Sequence, residues 1–550
     1  MKSMVSLLLA CMLLLAGFSG ALAEAAAPAP ITFTAISSYN DSYPAWGEDP
    51  ISQEITKRTG VSLDIEYSVG DGFAEKLGMM LAAGDYPELF LSMDNVHISP
   101  MVQANAIIDL APYMEDGGNN IKAVMGEQVG AMRSETDGKL YGFNKDFGAI
   151  PADPLVAFQV SYALLKEFDY PQIDTLDQLT DYVRRYIEKY PEYNGLKTVG
   201  FMTTGASWTF NIGFNNSALV AAGFQDDGNY YINPETLEAT IGIRTPQAKA
   251  YFKWLNSVAQ EGLFALDSFS MDNTALETEV SKGNVLVVMA PQWMMDAAES
   301  NLKNVSGTPE RMYAKLPIYI SEEAKANSHV SFYDPVGSWK SVITTNSSDP
   351  KRAFEFFDQM WSEEMQILVN WGIEGVHYSI DENGKRVLFD SVIQQYLTDP
   401  EFSKNTGLGL YNYWSCGDLA VDSTGQYIKP FSNPEFRAKY FDETTKEVLT
   451  KYNPEAVTWK DLFPAPEVSP YGFAWKLILP AESNGALAEI KVNDELRAKY
   501  VYDMVVAKSD AEYEQIWETF VQKCLEAGIE EREKEVTDAL KARVALWYGK

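Results

Sequence analysis

Histidine and cysteine are nearly missing from this 550-residue chain, which holds three of each. His97, His329 and His377 lie far apart, and no HExxH or CxxC occurs, so no ligand set for a metal can be read and none is expected. Positive charge is scarce too, with 44 Lys and Arg against 77 Asp and Glu for a net charge of −33. Nucleic acid binding rests on neutralising phosphates with cations, so a polynucleotide partner is excluded. There is no GxSxG elbow, no phosphate-cradling GxxxxGK loop and no GxGxxG after a strand, which removes the usual signatures of serine hydrolases and nucleotide enzymes. No catalytic residue and no cofactor are expected. Asp381-Glu382-Asn383-Gly384 vaguely resembles a calcium loop, but lacks the closing Glu at loop position 12 and lies between the β-rich segments HYSI and RVLF. Asn383-Gly384 reads instead as a type I′ hairpin turn.

Long apolar runs are confined to the start of the chain. Lys2 supplies a positive n-region, Val5 to Phe18 an apolar h-region, and Ala21-Leu22-Ala23 a small-x-small cleavage site, so residues 1–23 read as a signal peptide. Leu8-Leu9-Ala10-Cys11 superficially fits a lipidation box, but cleavage there would leave an h-region of about six residues, below the roughly 7 to 15 expected of a secretory signal. The mature chain is therefore expected to be exported and soluble, extracellular, at the cell surface or periplasmic. No later stretch approaches the roughly 20 apolar residues of a membrane span; Val285 to Ala290 is the best, and reads as a buried strand. Of the remaining cysteines, Cys416 and Cys524 could pair, although Cys524 shares an apolar helix face with Ile516, Trp517, Phe520 and Val521 and reads as a buried thiol.

What is present is an ordinary core, 46% hydrophobic, in a chain longer than one core usually organises. After a tether at 24–30, ITFTAIS, VSLDIEYSV and ELFLSM alternate with amphipathic segments, the pattern of a parallel sheet with helices on its faces. Loops beyond the carboxyl ends of such strands gather at a crevice, here SSYND (37–41) and MDNVH (93–97). A second α/β region follows. TLDQLTDYVRRYIEKY carries a Thr175 to Gln178 capping box, TVGFM opens into the loop TTGASWTFNIGFNN, a helix starts at Thr245-Pro246, and NVLVVMAPQW is a strand ending in tryptophan. Further on come the strand WKSVITT, a helix from Asp349-Pro350 and a helical carboxyl terminus opening at Ser509.

Aromatics recur where these strands end, at Tyr39, Trp208, Trp293 and Trp339, with carboxylates at Asp41 and Asp94 nearby. A sugar ring needs this combination, because its C–H face packs on flat aromatic surfaces while its hydroxyls need fixed donors and acceptors. Trp254, Trp361 and Trp517 sit instead at helical core spacing. WGIEGVHY (371–378) gathers Trp371, Glu374 and Tyr378 in a glycine-flanked loop, and Trp414 is a further candidate.

LAAGDYPELFLS (81–92), DGKLYGF (137–143), NVLVVMAPQW (284–293), the run from Ser348 to Asp381 and NPEFRAKY (433–440), in this order behind a signal peptide, resemble the extracellular solute-binding proteins of ABC importers. The resemblance is to family 1, the maltose-binding-protein-like carbohydrate class, and within it the LipO-like branch. It implies a type II periplasmic-binding-protein fold: two α/β lobes, each a mixed or parallel sheet flanked by helices, closing on a ligand between them. Residues 31–150 with 320–375 would form the first lobe and 151–319 with 376–550 the second, crossing near 143–155, 317–330 and 372–378. Asp94, Trp293, Trp371, Glu374 and Tyr378 fall at the family's cleft positions, while Tyr39, Asp41, Trp208, Trp339 and Trp414 come from the strand-end reading. The family usually has proline where this chain has Asn144. The resemblance implies a monomeric binder that passes an oligosaccharide to a membrane permease. Alternatives are a binder of peptides or other polar solutes and a secreted glycoside hydrolase, which needs only two suitably spaced carboxylates.

Overall fold

The computed structural model describes residues 29–38, 43–68, 72–135, 137–148, 158–399 and 401–549. Two larger sheets organise it. Their strands are β1 (Ile31–Ser37), β2 (Val61–Tyr67), β3 (Leu89–Met93), β4 (Gly142–Lys145), β5 (Phe158–Ser161), β6 (Val199–Met202), β7 (Val285–Met289), β8 (Tyr313–Leu316) and β9 (Ser338–Ile343). The first sheet runs β2-β1-β3-β9-β4, with β1, β2 and β3 parallel and β9 antiparallel to both its neighbours. The second runs β8-β5-β7-β6, with β7 parallel to β6 and β5 antiparallel to β7 and β8.

The parallel core of the first sheet follows from its crossovers. Helix α1 (Pro50–Thr59) starts at Asp49, whose Oδ1 accepts from the backbone N–H of Ile51 at 2.9 Å and of Ser52 at 3.0 Å. A cap of this kind is worth about 1 kcal/mol. Pro50 occupies the first turn, and Gly60 closes the helix in the left-handed region at φ +70°, handing the chain directly to β2. Ile51 and Ile55 are fully buried on the sheet, each stabilising by about 1.5 to 3 kcal/mol. Beyond β3, Asp94 caps α2 (Asn95–Gln103), its side chain accepting from Val96 N–H.

The second sheet is covered by α3 (Leu176–Lys189), where Thr175 and Gln178 form the expected reciprocal cap, and by α4 (Pro246–Gln260), which buries Tyr251, Trp254, Leu255 and Val258. In the carboxyl-terminal half, α5 (Pro350–Met360) turns Phe356 and Phe357 inward and α6 (Glu363–Trp371) follows it; α7 (Asn484–Lys491), α8 (Asp510–Glu526) and α9 (Ile529–Tyr548) come later in the chain.

Core membership departs from the expected division. Tyr378, Leu388, Val392, Phe402, Leu410, Trp414 and Ile428 pack into the core of the first sheet rather than the second. Trp414 wedges against Phe356 and Phe357, with ring centroids 5.2 and 5.0 Å away, and that burial draws the aromatic run LGLYNYW onto α5. The chain joins the second core only at Val448 and Leu449, so the third crossing falls after Ile428 and not at 372–378. Segment 463–481 then returns: Glu467–Val468 pairs with Phe332–Tyr333, and Ile478 packs with Phe90, Met93 and Val342. Helix α9 reaches both cores, with Ile529 in the second and Trp547 against the first. Asn383-Gly384 does sit in a hairpin, between strands Tyr378–Ile380 and Arg386–Leu388. Only Gly384 has positive φ, so the turn is not type I′, which requires it at both positions.

Candidate ligand-binding cleft

Strands β6 and β7 are parallel neighbours, so their carboxyl ends open at the same edge of the second sheet. Each ends in a loop that carries a tryptophan. The rings of Trp208 and Trp293 stack with centroids 6.1 Å apart and planes 15° from parallel, and the two residues are 48% and 49% exposed. Two indoles held half out of the core present a flat apolar surface that folding alone does not call for.

The loop beneath them is fixed by polar contacts. Thr203 Oγ1 donates to the carbonyl of Met289, and Thr204 Oγ1 to that of Met271, each at 2.6 Å. Ser207 adopts φ +54°, a left-handed conformation uncommon for a residue with a side chain. Arg497 holds the turn closed: its Nη1 donates to Asn211 Oδ1 at 2.5 Å and its Nη2 to the Ser207 carbonyl at 3.3 Å, with its guanidinium 4.9 Å from the centre of the Phe210 ring. Asn211 begins a π-helical turn (Asn211–Asn216), a rare element that frequently marks functional sites.

Asp94, Val96 and Ser99 line a cleft of about 240 Å³ together with Asn211 and Asn229 from the second unit, Trp475 from the returning segment, and Glu489 and Arg532 from α7 and α9. Burial pushes the Asp94 carboxyl up, although the backbone N–H groups of Val96 and Asn95 and the charge of Lys476 favour its anion. Glu489 is satisfied within the wall, accepting from Arg532 Nε at 2.7 Å, Asn229 Nδ2 at 2.7 Å and the Tyr230 hydroxyl at 2.6 Å. Gly228 lies against Trp475 at φ +67°, where an added Cβ would stand 2.8 Å from the Trp475 Cβ. Behind it burial pushes Asp227 up to about 7, while Ala474 N–H, Gln225 Nε2 and the Tyr471 hydroxyl donate to it.

The profile of the bacterial extracellular solute-binding proteins matches residues 37–367, more than half of the chain. The chain belongs to that family. Among curated proteins it is similar to the lipoprotein LipO of Bacillus subtilis, 21% identical over 357 residues that cover 62% of this chain and 68% of LipO. It is equally similar to the polygalacturonan/rhamnogalacturonan-binding protein YtcQ of the same organism, 21% identical over 362 residues covering 64% of this chain and 68% of YtcQ. Among solved structures, the ABC-transporter substrate-binding protein FusA of Streptococcus pneumoniae, in complex with kestose, superposes with a TM-score of 0.68 at 15% identity, over 94% of this chain and 100% of FusA. An HMO-binding, ABC-transporter-associated solute-binding protein of Bifidobacterium longum infantis matches with the same TM-score at 13% identity, over 94% of this chain and 99% of that one. The fold is thus that of the type II periplasmic solute-binding proteins, as expected from the sequence.

In this solute-binding protein the residues singled out from sequence separate into two groups. Asp94 lines the cleft, and Trp208 and Trp293 stack half-exposed beyond the ends of β6 and β7. Trp339 stands at the start of β9 with φ +54°, half-buried, with Lys145 Nζ 4.8 Å from its ring centre. Tyr39 and Asp41 lie outside the described residues. Trp371, Tyr378 and Trp414 belong to the core and correct the expectation that they contact ligand. Trp371 donates through Nε1 to the Tyr427 carbonyl at 3.0 Å, Arg386 covers its ring at 4.9 Å, and Tyr378 meets it edge-on at 6.0 Å. Trp414 is 1% exposed. Glu374 is exposed in the loop between α6 and the hairpin and does not line the cleft. His377 Nδ1 accepts from Ile373 N–H at 3.0 Å, a structural role.

Sequence reasoning missed Trp475, Asn229, Glu489 and Arg532. Trp475 sits in the Pro-Gly-aromatic stretch SPYGFAWK, outside any regular strand, so no strand end pointed to it. Glu489 and Arg532 look like exposed helix charges until the distant helices meet. Cys416 and Cys524 lie in different cores and are unpaired, their thiols pushed by burial up to about 11 and about 12. Among the described residues no three His, Cys, Asp or Glu side chains converge to hold a metal ion, and no helix is long and apolar enough to cross a membrane.

Proposed function

We propose that this chain is the exported binding component of an ABC importer, taking an oligosaccharide between two lobes built on the two sheets and delivering it to a membrane permease. The single observation that carries the reading is the half-exposed Trp208–Trp293 stack at the carboxyl ends of β6 and β7. Nothing in the second core requires these rings to be outside it, and stacking on sugar C–H faces is the use that rewards such a surface. Asp94, Asn211 and Asn229 supply the acceptors and donors that hydroxyls need. Family membership and relatives named for kestose, rhamnogalacturonan and N-glycan binding support the same reading.

A ligand that touches both lobes stabilises the closed arrangement by the difference in contacts between open and closed states, and a permease can recognise that shape. No chemistry on the ligand is invoked. Residues 1–23 serve for export and the processed protein acts as a monomer outside the membrane. A thermal-shift screen of the processed chain against mono- and oligosaccharides, with peptides as controls, tests this. Saturable stabilisation by sugars without release of reducing ends supports the binder; stabilisation by peptides alone, or turnover of the sugar, overturns it.

A further inference from the structure

We infer that the cleft takes sugar chains built of uncharged, hydroxyl-bearing units and turns uronates away. The inference rests on the sugar reading above and concerns the ligand class of the same site. It follows from how charge is distributed on the cleft walls.

Recognition of a ligand carboxylate calls for a cation with donors to spare, above all a guanidinium fork. The cations around this cleft are already committed. Arg532 is bound to Glu489 and Glu535, at 2.7 and 2.9 Å. Lys476 is bound to Asp334 at 3.3 Å and donates to the Gly337 carbonyl at 2.7 Å. Arg497 is turned inward onto Asn211 and Ser207, with 8% of its surface exposed. The Asp94 carboxylate is not matched in the same way. Among the described residues, Asp94, which lines the cleft, has no cation within 4.0 Å, and its side chain accepts from the backbone N–H of Val96 at 3.1 Å.

A uronate entering here meets the unpaired carboxyl of Asp94, and the cations nearby have their donors engaged, Arg532 by Glu489 and Glu535, Lys476 by Asp334, and Arg497 by Asn211 and the Ser207 carbonyl. In a site from which water is partly displaced that repulsion is only weakly screened, and like charges set against each other are how a site rejects the wrong partner. A neutral sugar meets the reverse situation. Its hydroxyls donate to the remaining acceptor capacity of Asp94 and exchange bonds with the Asn211 and Asn229 amides, while its ring faces lie on the indoles.

Isothermal titration of the full processed chain tests this, with maltotriose, cellotriose, xylotriose and kestose as neutral probes and trigalacturonate as the uronate. At low salt at least one neutral chain binds, and trigalacturonate binds at least about tenfold more weakly, with the gap narrowing in 0.5 M NaCl as charges are screened. Asp94→Asn narrows the same gap by improving trigalacturonate binding relative to the neutral chain. Trigalacturonate binding as tightly as the best neutral chain, or more tightly, overturns the inference and leaves the sugar reading standing. If no chain of either kind binds, the sugar reading falls and this inference with it.

Discussion

Arg543 on α9 donates through Nε to Glu135 Oε1 at 2.7 Å, across 408 positions of sequence, with both side chains almost wholly buried. The same guanidinium donates to the carbonyls of Phe473 at 3.0 Å and Lys476 at 2.9 Å. One residue near the carboxyl terminus thereby ties the first unit to the segment that returns between the two sheets, beside the cleft-lining Trp475.

Removing one partner of such a pair leaves the other charge buried and alone, which costs about 3 to 5 kcal/mol. Arg543→Met is therefore expected to lower the urea midpoint sharply, measured by equilibrium denaturation. Glu135→Gln, which keeps an acceptor and removes the charge, is expected to cost less. Equal stability of Arg543→Met and the parent chain would show that the tie carries no load.

The tryptophans divide by what surrounds them. Trp414→Ala empties a packed site against Phe356 and Phe357 and is expected to cost about 3 to 5 kcal/mol. Trp208→Ala and Trp293→Ala remove half-exposed rings and are expected to cost about 1 kcal/mol or less. Chemical denaturation of the three variants side by side measures the contrast. A large loss in the exposed pair would mean that the stack is a packing feature.

Asp227 sets a pH dependence whose sign is opposite to that of most carboxylates. Its folded value of about 7 lies above the ordinary 3.8, because burial disfavours the anion. A group raised in this way binds its proton more tightly in the folded state, so its favourable contribution is complete below about pH 4 and is lost as pH rises through about 7. Between pH 5 and pH 8 the parent chain should lose about 2.5 kcal/mol relative to Asp227→Asn, whose amide does not titrate. Paired melting curves at the two pH values show the effect. A gap between the proteins that stays constant with pH would place the Asp227 pKa in the usual range.

The elements set by local pattern were legible in the sequence. Thr245-Pro246 opened α4 where expected, Thr175 and Gln178 capped α3, and the three parallel strands of the first sheet followed from apolar runs separated by amphipathic helices. That Trp208 and Trp293 stand in loops beyond strand ends was legible too, because each follows an apolar β run. What depended on distant partners was not legible. The burial of Trp371 is decided by Arg386 and the Tyr427 carbonyl, which come from a hairpin and a later loop, and its glycine-flanked surroundings suggested exposure instead. The third crossing was misplaced for a similar reason, since the run from Phe402 to Trp414 has no periodicity and its place is set by α5.

The central claim is that the Trp208–Trp293 stack grips a sugar. Titration calorimetry of the oligosaccharide that best stabilises the parent chain, repeated on the Trp208→Ala/Trp293→Ala double variant, tests it most directly. Saturable one-site binding in the parent and at least about a hundredfold loss in the double variant is the expected result, since each buried aromatic anchor is worth more than about 1 kcal/mol and the two act together. The melting temperature of the double variant should stay close to that of the parent. Undiminished affinity in a folded double variant would contradict the account.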